Sequence, residues 1–341
     1  MCDTIPGMKL QSKKLNILLG GQFGSEGKGL VGSYLGASNH IDIAVTNAAP
    51  NAGHTIYWQG RKLITKHLPV AGVMQPRSTI YLCAGAIINP DILFEEMALC
   101  DVDPDRVCIS PNAAVITPQD VADESVGAAV KISSTQNGVG KALQRKINRS
   151  ALLAKDCAKL VPMVRDIGLP FLLAQGCTAL MEVPQGLGLG INSGFYPHCT
   201  SRDISVSQAL NDAGLHPKWL GKVIVCTRTY PIRVGNLQDS AGTDVGYSGP
   251  FYSDSVETSW EALGLEKEYT TRTNRVRRVA AFSMQQYKDM LQALCPDYLV
   301  LNFANYLSLS ALKSLLLTLP EVTHLGFGPS PEDVVPVQYF R

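Results

Sequence analysis

Residues 15–29 read LNILLGGQFGSEGKG, and this stretch decides the fold. The apolar run 15–19 ends at glycines, which predicts a short buried strand, and residues 30–35 suit a helix that begins after the loop. Glycines at positions 21, 24, 27 and 29 allow the backbone to turn its N–H groups toward an anion. The helix that follows adds its positive end, and Lys28 adds a point charge. The stretch therefore predicts a strand, a phosphate-binding loop and a helix.

The spacing of this loop differs from that of a Walker loop. Five residues separate Gly21 from Gly27, and Gly29 stands where a Walker loop carries the Ser or Thr that holds magnesium. A glycine-rich turn without a ligand is the alternative interpretation, but Glu26 and Lys28 inside the turn favour a phosphate site. We expect an enzyme that handles a nucleoside triphosphate.

Strand and helix patterns alternate along the rest of the chain, which predicts an α/β fold with a large, mixed but mostly parallel sheet flanked by helices. Further strands are expected at 41–45, 79–82, 107–109, 170–173, 223–226 and 298–301. Helices are expected at 90–99, 141–166, 283–294 and 309–317. The glycine-rich segments 184–194 and 235–255 are interpreted as functional loops.

Composition bounds the class of protein. The chain has 341 residues, of which 45% are hydrophobic, and residues 1–341 are expected to form a single domain with long active-site loops. The net charge of +1 argues against a nucleic-acid partner. No apolar run is long enough for a membrane span. The nine cysteines are scattered, which is typical of reduced thiols, so a cytoplasmic protein is expected.

Two further segments carry groups suited to phosphate or carboxylate chemistry. Residues 47–55 read NAAPNAGHT, a tight loop in which the His54 imidazole could donate to a phosphate, although a lone histidine is as often structural. Residues 270–278 read TTRTNRVRR, with four guanidinium groups in seven residues. Such a cluster favours an ordered anion site over a solvated charge run.

Together these segments resemble the adenylosuccinate synthetase family, in order from about residue 15 to residue 330. The matching motifs lie at Gly24–Gly29, Asn51–Thr55, Ser134–Gly140, Ala174–Gly176, Tyr196–Ser201, Arg233–Gly235, Thr273–Arg278 and Gly328–Pro329. The resemblance implies a homodimeric, magnesium-dependent ligase that phosphorylates the purine O6 and then lets the amine of L-aspartate displace the phosphate. By this resemblance, Arg149 reaches across the dimer interface.

The resemblance also implies a role for each matched residue. The expected catalytic residues are Ser25, Lys28, His54 and Gln175. The expected triphosphate site comprises Ser25, Gly27, Lys28, Gly29, Gly53, His54, Thr55, Asn305, Gly328 and Pro329, with Mg²⁺ at Ser25 and Gly53. The expected purine monophosphate site comprises Ser25, Asn51, Ser134, Thr135, Arg149, Gln175, Thr200 and Arg275. The expected aspartate site comprises Thr271, Thr273, Arg275 and Arg277.

Two departures from the family pattern bear on the substrates. Ser25 stands where the family has the aspartate that takes a proton from N1 of IMP, and a neutral hydroxyl is a poor base. Asn305 stands where the family has the aspartate that reads the guanine of GTP, so ATP or dATP becomes the expected donor. Both changes resemble the bacteriophage branch of the family. Those enzymes join aspartate to dGMP, using ATP, to make N6-succino-2-amino-2′-deoxyadenylate for genomes that carry diaminopurine, and the expected location is then the host cytoplasm.

Other functions remain open at the level of sequence. A conventional synthetase that uses IMP and GTP shares every loop, but it needs another group to replace the missing aspartate. A nucleotide-binding switch without turnover needs phosphate loops only, and it has no use for His54 or for the arginine cluster. A degenerate, non-catalytic relative is disfavoured by the presence of four expected site residues, which are Lys28, His54, Gln175 and Arg275.

Overall fold

A nine-stranded sheet forms the centre of the protein. We describe it from a computed structural model, in which residues 7–58, 60–126, 128–270 and 274–341 are described. The strands are β1 (Leu15–Gly20), β2 (Ile43–Thr46), β3 (His54–Trp58), β4 (Arg61–Thr65), β5 (Thr79–Leu82), β6 (Ile87–Ile88), β7 (Val107–Ile109), β8 (Ala114–Val115), β9 (Ala179–Gly186), β10 (Leu220–Arg228), β11 (Ile232–Arg233), β12 (Leu237–Gln238), β13 (Asp244–Gly246), β14 (Glu257–Thr258), β15 (Arg278–Ala280), β16 (Tyr298–Asn302), β17 (His324–Gly326) and β18 (Val334–Pro336).

The helices lie between these strands along the chain. They are α1 (Lys28–Ser38), α2 (Val70–Met74), α3 (Pro90–Leu99), α4 (Pro118–Glu124), α5 (Ala128–Lys131), α6 (Val139–Ile147), α7 (Leu169–Gln175), α8 (Val206–Asp212), α9 (Met284–Leu294) and α10 (Leu309–Thr318). Among the described residues, no helix is long and apolar enough to cross a membrane.

The sheet order is β18-β17-β16-β10-β1-β9-β2-β5-β7, and every neighbouring pair is parallel except β17 with β18. The expected mixed, mostly parallel α/β sheet is therefore confirmed. All residues of β1 are buried, because apolar side chains cover both of its faces. Leu15, Ile17 and Leu19 belong to one hydrophobic core, whereas Leu18 packs on the other side with residues of α1.

The topology brings the functional loops to one edge of the sheet. Strands β1, β2, β9, β10, β16 and β17 run parallel, so the segments that follow them meet at their carboxyl ends. In open α/β sheets, ligands bind in the crevice at this edge.

Two sequence-based predictions of secondary structure are wrong. Residues 170–173 were expected to form a strand but lie in α7, where Pro170 occupies the first turn after Gly168 in a left-handed conformation. A short apolar run cannot by itself distinguish a strand from a buried helix segment, and proline suits the first turn of a helix. The helix expected over 141–166 ends at Ile147, because Arg149 takes a positive φ of 63° that an α-helix does not accept.

Candidate active site

The loop after β1 folds around a buried carboxylate. Oε1 of Glu26 accepts the backbone N–H groups of Gln22 and Gly24, and Oε2 lies 3.3 Å from Nζ of Lys28. Gly27 precedes α1 with a φ of 79°, and a Cβ on Gly29 would lie 2.4 Å from the carbonyl oxygen of Thr55. Glycine is therefore required at both positions, for conformation at the first and for close approach at the second.

Lys28 lies inside this loop. Its Nζ donates to the carbonyl oxygen of Gly24 at 3.0 Å and to that of Gln185 at 2.5 Å, and the residue is 3% exposed. The ammonium group thus connects the phosphate loop to the end of β9.

Ser25 lies at the tip of the loop and is contacted by two arginines. Its hydroxyl accepts a hydrogen bond from Nη1 of Arg277 at 2.9 Å. Its carbonyl oxygen accepts one from Nη1 of Arg228 at 3.0 Å. A metal ion on the Ser25 hydroxyl would face the positively charged Arg277 guanidinium, which already donates to that oxygen. Ser25 therefore does not fit the expected role of metal ligand.

A cavity of about 420 Å³ opens beside Ser25. It brings together segments that are far apart in the sequence, among them the phosphate loop, the segment 51–53 and the loop after β9. Its wall includes the following residues predicted from the sequence: Ser25, Asn51, Gly53, Ser134, Thr135, Thr200 and Arg277. Glu124 also borders the cavity, but its two oxygens accept the backbone N–H groups of Gly138 and Gly140.

A second cavity of about 280 Å³ adjoins the first through Ser134 and Thr135. Arg275 lies on its wall, and its Nη1 donates to the carbonyl oxygen of Gly235 at 3.0 Å. The structure thus places Arg275 with Ser134 and Thr135 rather than directly beside Arg277 at Ser25. The expected aspartate ligands Thr271 and Thr273 lie outside the described residues.

His54 begins β3, beside the cavity residue Gly53, and Thr55 follows it. Burial, and then the charge of Lys28, lower the pKa of His54 to about 3. Nδ1 of His54 lies 4.0 Å from Oε2 of Glu182, which itself accepts a backbone N–H from the start of α2. Burial raises the pKa of Glu182 to about 7, against the effect of its backbone hydrogen bonds.

The segments expected to bind the base of the triphosphate follow β16 and β17. Asn305 is exposed in a short 3₁₀ turn, Ala304–Tyr306, directly after β16. Gly328 and Pro329 follow β17, the neighbouring strand, and are half-buried and exposed, respectively. These two segments therefore lie at the same edge as the phosphate loop, on the far side of β10.

Gln175 lies away from this edge. It is exposed at the end of α7, just before β9 begins, whereas the cavity lies beyond the end of β9. An eight-residue strand spans about 26 Å. The expectation that Gln175 contacts the purine is therefore wrong in position. Gln185, at the far end of the same strand, borders the cavity instead.

Arg149 is exposed just beyond α6 and donates to the carbonyl oxygen of Ile147 at 3.3 Å. It does not border either cavity within the described chain, so its expected role across a dimer interface stays a prediction.

Several site residues were not predicted from the sequence. Arg228 and Glu268 are buried or half-buried around Ser25, and their isolated positions carry no motif. Arg233, on the cavity wall, lies in the matched motif Arg233–Gly235 but was assigned no role. Gln185 had a detectable signal, because Gln185-Gly186 stands shortly before the Tyr-Pro motif at 196–197. The similar Ala-Gln-Gly at 174–176 obscured it.

Comparison with known proteins fits this arrangement. The sequence model of adenylosuccinate synthetase matches residues 17–166 and 157–313. The chain belongs to the adenylosuccinate synthetase family. The N6-succino-2-amino-2′-deoxyadenylate synthase of Salmonella phage PMBT28 is 33% identical over 359 residues, which cover 95% of this chain and 97% of that relative.

A solved structure gives the same picture of the fold. The succinoaminodeoxyadenylate synthetase of cyanophage S-2L, bound to dGMP and to dATP as an energy donor, superposes with a TM-score of 0.86 at 35% identity. The match covers 96% of both chains. By contrast, the adenylosuccinate synthetase of Pyrococcus sp. strain ST700 is 34% identical over 276 residues, covering 79% of this chain and 77% of that relative. This chain is therefore a ligase of that family, and its similarity to the phage synthases extends over nearly its whole length.

Proposed function

We propose that this enzyme joins L-aspartate to C6 of dGMP, with ATP or dATP as the phosphoryl donor. O6 of the purine attacks the γ-phosphorus and releases the nucleoside diphosphate. The α-amine of aspartate then attacks C6 and displaces phosphate. The product is N6-succino-2-amino-2′-deoxyadenylate, the precursor of diaminopurine nucleotides.

The observation that carries this proposal is Ser25 at the cavity wall with its hydroxyl held by Arg277. IMP and dGMP both lose a proton from N1 in this reaction, and a serine that accepts from a guanidinium is not the base that takes it, so the small, neutral side chain of Ser25 rather than the missing base favours dGMP. Glu124 does not supply that base, since both of its oxygens accept backbone N–H groups. The Ser25 hydroxyl retains a lone pair, which suits the 2-amino group that dGMP has and IMP lacks.

The remaining groups suit phosphoryl transfer, which is catalysed mainly by positioning and charge neutralisation. We propose that the loop amides and Lys28 bind the phosphates. We propose that His54 stabilises the charge that develops between O6 and the γ-phosphate. Arg277 is then placed to bind a carboxylate of aspartate while it holds Ser25. Ser134, Thr135 and Arg275, around the second cavity, are assigned to the monophosphate, with Asn51 and Thr200 as further contacts.

An amide at position 305 favours ATP or dATP over GTP. A carboxylate there would accept from N1–H and the 2-amino group of guanine, whereas the Asn305 amide can both donate to and accept from adenine. Gly328 and Pro329 are assigned to the same base pocket.

Mg²⁺ is proposed to reach the site with the triphosphate oxygens. The described residues contain no group of three His, Cys, Asp or Glu side chains that could hold a metal ion. Gly53 is the remaining candidate ligand, through its carbonyl oxygen. A homodimer completed by Arg149, and a location in the cytoplasm of an infected host, are likewise proposals.

The decisive experiment is a substrate panel. Purified enzyme is assayed with dGMP, GMP, IMP and dIMP, each with ATP, dATP and GTP, and the release of the nucleoside diphosphate is measured with and without aspartate. We expect turnover with dGMP that depends on aspartate. Preferential turnover of IMP would support a conventional synthetase. Hydrolysis of the triphosphate at a rate that does not depend on the monophosphate would support a nucleotide-binding switch.

Replacing Ser25 by Asp sharpens this test. The new carboxylate would pair with Arg277, and, being larger and charged, it would occupy the space that serine leaves for the 2-amino group. We expect Ser25→Asp to lower kcat/KM for dGMP by about tenfold or more. An unchanged rate would mean that Ser25 is not the element that selects the purine.

A further inference from the structure

Two arginines hold Ser25 from opposite ends of the residue. Nη1 of Arg277 donates to its hydroxyl at 2.9 Å, and Nη1 of Arg228 donates to its carbonyl oxygen at 3.0 Å. Arg228 is 1% exposed and lies at the carboxyl end of β10, where its guanidinium also stacks at 3.8 Å on the ring of Phe303. Both the backbone and the side chain of Ser25 are therefore fixed by buried or partly buried cations.

Glu268 contacts both arginines, through its carboxylate for Arg228 and through its backbone for Arg277. Its two carboxylate oxygens accept from Nη1 and Nη2 of Arg228, the first of these at 3.3 Å. Its carbonyl oxygen accepts the backbone N–H of Arg277 at 2.8 Å. Burial lowers the pKa of Arg277, and the nearby Glu268 carboxylate opposes that change.

The charge of Glu268 is maintained by its surroundings. Burial would raise the pKa of Glu268, but Arg228 and the hydroxyl of Tyr306, which donates at 2.9 Å, bring it below its ordinary value. An ionised carboxylate that pairs with Arg228 and lies close enough to act on Arg277 through its charge offsets the repulsion between the two guanidinium groups, which in a poorly solvated site is otherwise large.

We propose that Glu268 is a positioning residue that sets purine specificity, by holding Arg228 and Arg277 on Ser25. A free serine hydroxyl samples three rotamers and offers no fixed direction to a ligand. A hydroxyl that accepts from Arg277 has one lone pair occupied, and its remaining lone pair and its proton have fixed directions. Such a group discriminates between a purine with a 2-amino donor and one without it. This inference rests on the proposed function.

The test measures discrimination rather than activity alone. The kcat/KM for dGMP is divided by that for dIMP, which lacks the 2-amino group, in the unmodified enzyme and in Glu268→Gln. We expect the ratio to fall by about tenfold, which corresponds to the loss of one well-placed hydrogen bond.

A double-mutant cycle separates positioning from a general structural effect. In a Ser25→Ala background the hydroxyl is absent, so Glu268→Gln should change the ratio no further. An equal change in both backgrounds, or no change in either, would overturn the inference.

Glu257→Gln is the matched control. Glu257 pairs with Arg278, the next residue along the same cluster, through contacts of 2.6 and 2.7 Å, and it does not contact Ser25. This variant loses a carboxylate–guanidinium pair of the same kind, and the ratio should remain unchanged. A similar fall in the control would also count against the inference.

Loss of folding must be distinguished from loss of specificity. If thermal unfolding shows that Glu268→Gln does not fold, Tyr306→Phe takes its place, since it keeps all three charges and removes one donor from Glu268. Its ratio should fall in the same direction, and an unchanged ratio would contradict the inference. If the unmodified enzyme does not prefer dGMP to dIMP, the proposed function itself fails. If it does prefer dGMP and Glu268→Gln retains the ratio, only the role of Glu268 fails.

Discussion

Two histidine–glutamate pairs in this enzyme have almost the same electrostatics but different surroundings. His54, which follows the cavity residue Gly53, lies near Glu182, and His67 lies near Glu96 of α3. Burial lowers the pKa of each histidine to about 3 and raises the pKa of each glutamate to about 7. Each carboxylate also accepts backbone N–H groups, from Val70 and Ala71 for Glu182 and from residues 66–68 for Glu96.

The geometry separates the two pairs. Glu96 accepts the backbone N–H of His67, whose ring Nε2 in turn accepts from the backbone of Asn89, and His67 is fully buried. The His54 side chain is 13% exposed, and its Nδ1 is directed to Glu182 at 4.0 Å. A perturbed pKa therefore marks burial in both places, and only the position of His54 next to the cavity residue Gly53 supports the role proposed for it.

The largest expected effect is a difference in kcat between variants of the two histidines. His54→Asn should lower kcat for dGMP by about a hundredfold or more, because a group that stabilises developing charge is lost. His67→Asn should lower the melting temperature but leave kcat of the folded enzyme nearly unchanged. Steady-state rates together with thermal unfolding check both, and a comparable loss of kcat in His67→Asn would remove the distinction.

The second largest expected effect is a difference in kcat between variants of the two glutamates. Glu182→Gln and Glu96→Gln should each destabilise the fold by about 1–3 kcal/mol, because buried backbone N–H groups lose an acceptor. Only Glu182→Gln should also lower kcat, by about tenfold, since hydrogen bonds to catalytic groups are often long in the free enzyme and shorten with substrate. Unfolding by urea gives the stability, and initial rates give kcat. Equal kcat in the two variants would show that Glu182 has only a structural role.

The smallest effect concerns pH and should be shared by both glutamates. The folded pKa of Glu96, about 7, lies above the unfolded value near 4.5, so the folded state binds more protons between these pH values. Its contribution to stability is therefore complete below pH 4.5 and is lost as the pH rises to 7.

Glu96→Gln should consequently destabilise the protein more at pH 5 than at pH 8, with a difference on the order of 2 kcal/mol. Urea unfolding at the two pH values measures it, and Glu182→Gln should behave alike. A larger loss of stability at pH 8 would contradict the assigned direction of the pKa shift.

Much of the site was predictable because local sequence specifies it. The glycines at 24, 27 and 29 are required by backbone conformation or close approach, so the phosphate loop could be identified before any contact was known. The motif at 51–55 and the Tyr-Pro motif at 196–197 could likewise be identified from the sequence before any contact was known. Gln175 was misplaced because a tripeptide match does not say at which end of a strand it lies.

The partners of Ser25 could not have been found from sequence. Arg228, Glu268 and Arg277 are brought together only where β10, the segment before β15 and the phosphate loop meet. Likewise, His54 and Glu182 are 128 positions apart, and only the tertiary structure brings Nδ1 of the first to 4.0 Å from Oε2 of the second.

Local properties of the chain, namely glycine conformation, apolar patterning and residue identity, were enough to predict the alternating α/β fold, the phosphate loop and the replacement of a family aspartate by Ser25. The three-dimensional arrangement was needed to show that Gln185 rather than Gln175 reaches the cavity and that Ser25 is held by Arg277. Those outcomes depend on the order and direction of parallel strands, which bring distant segments to one edge of the sheet.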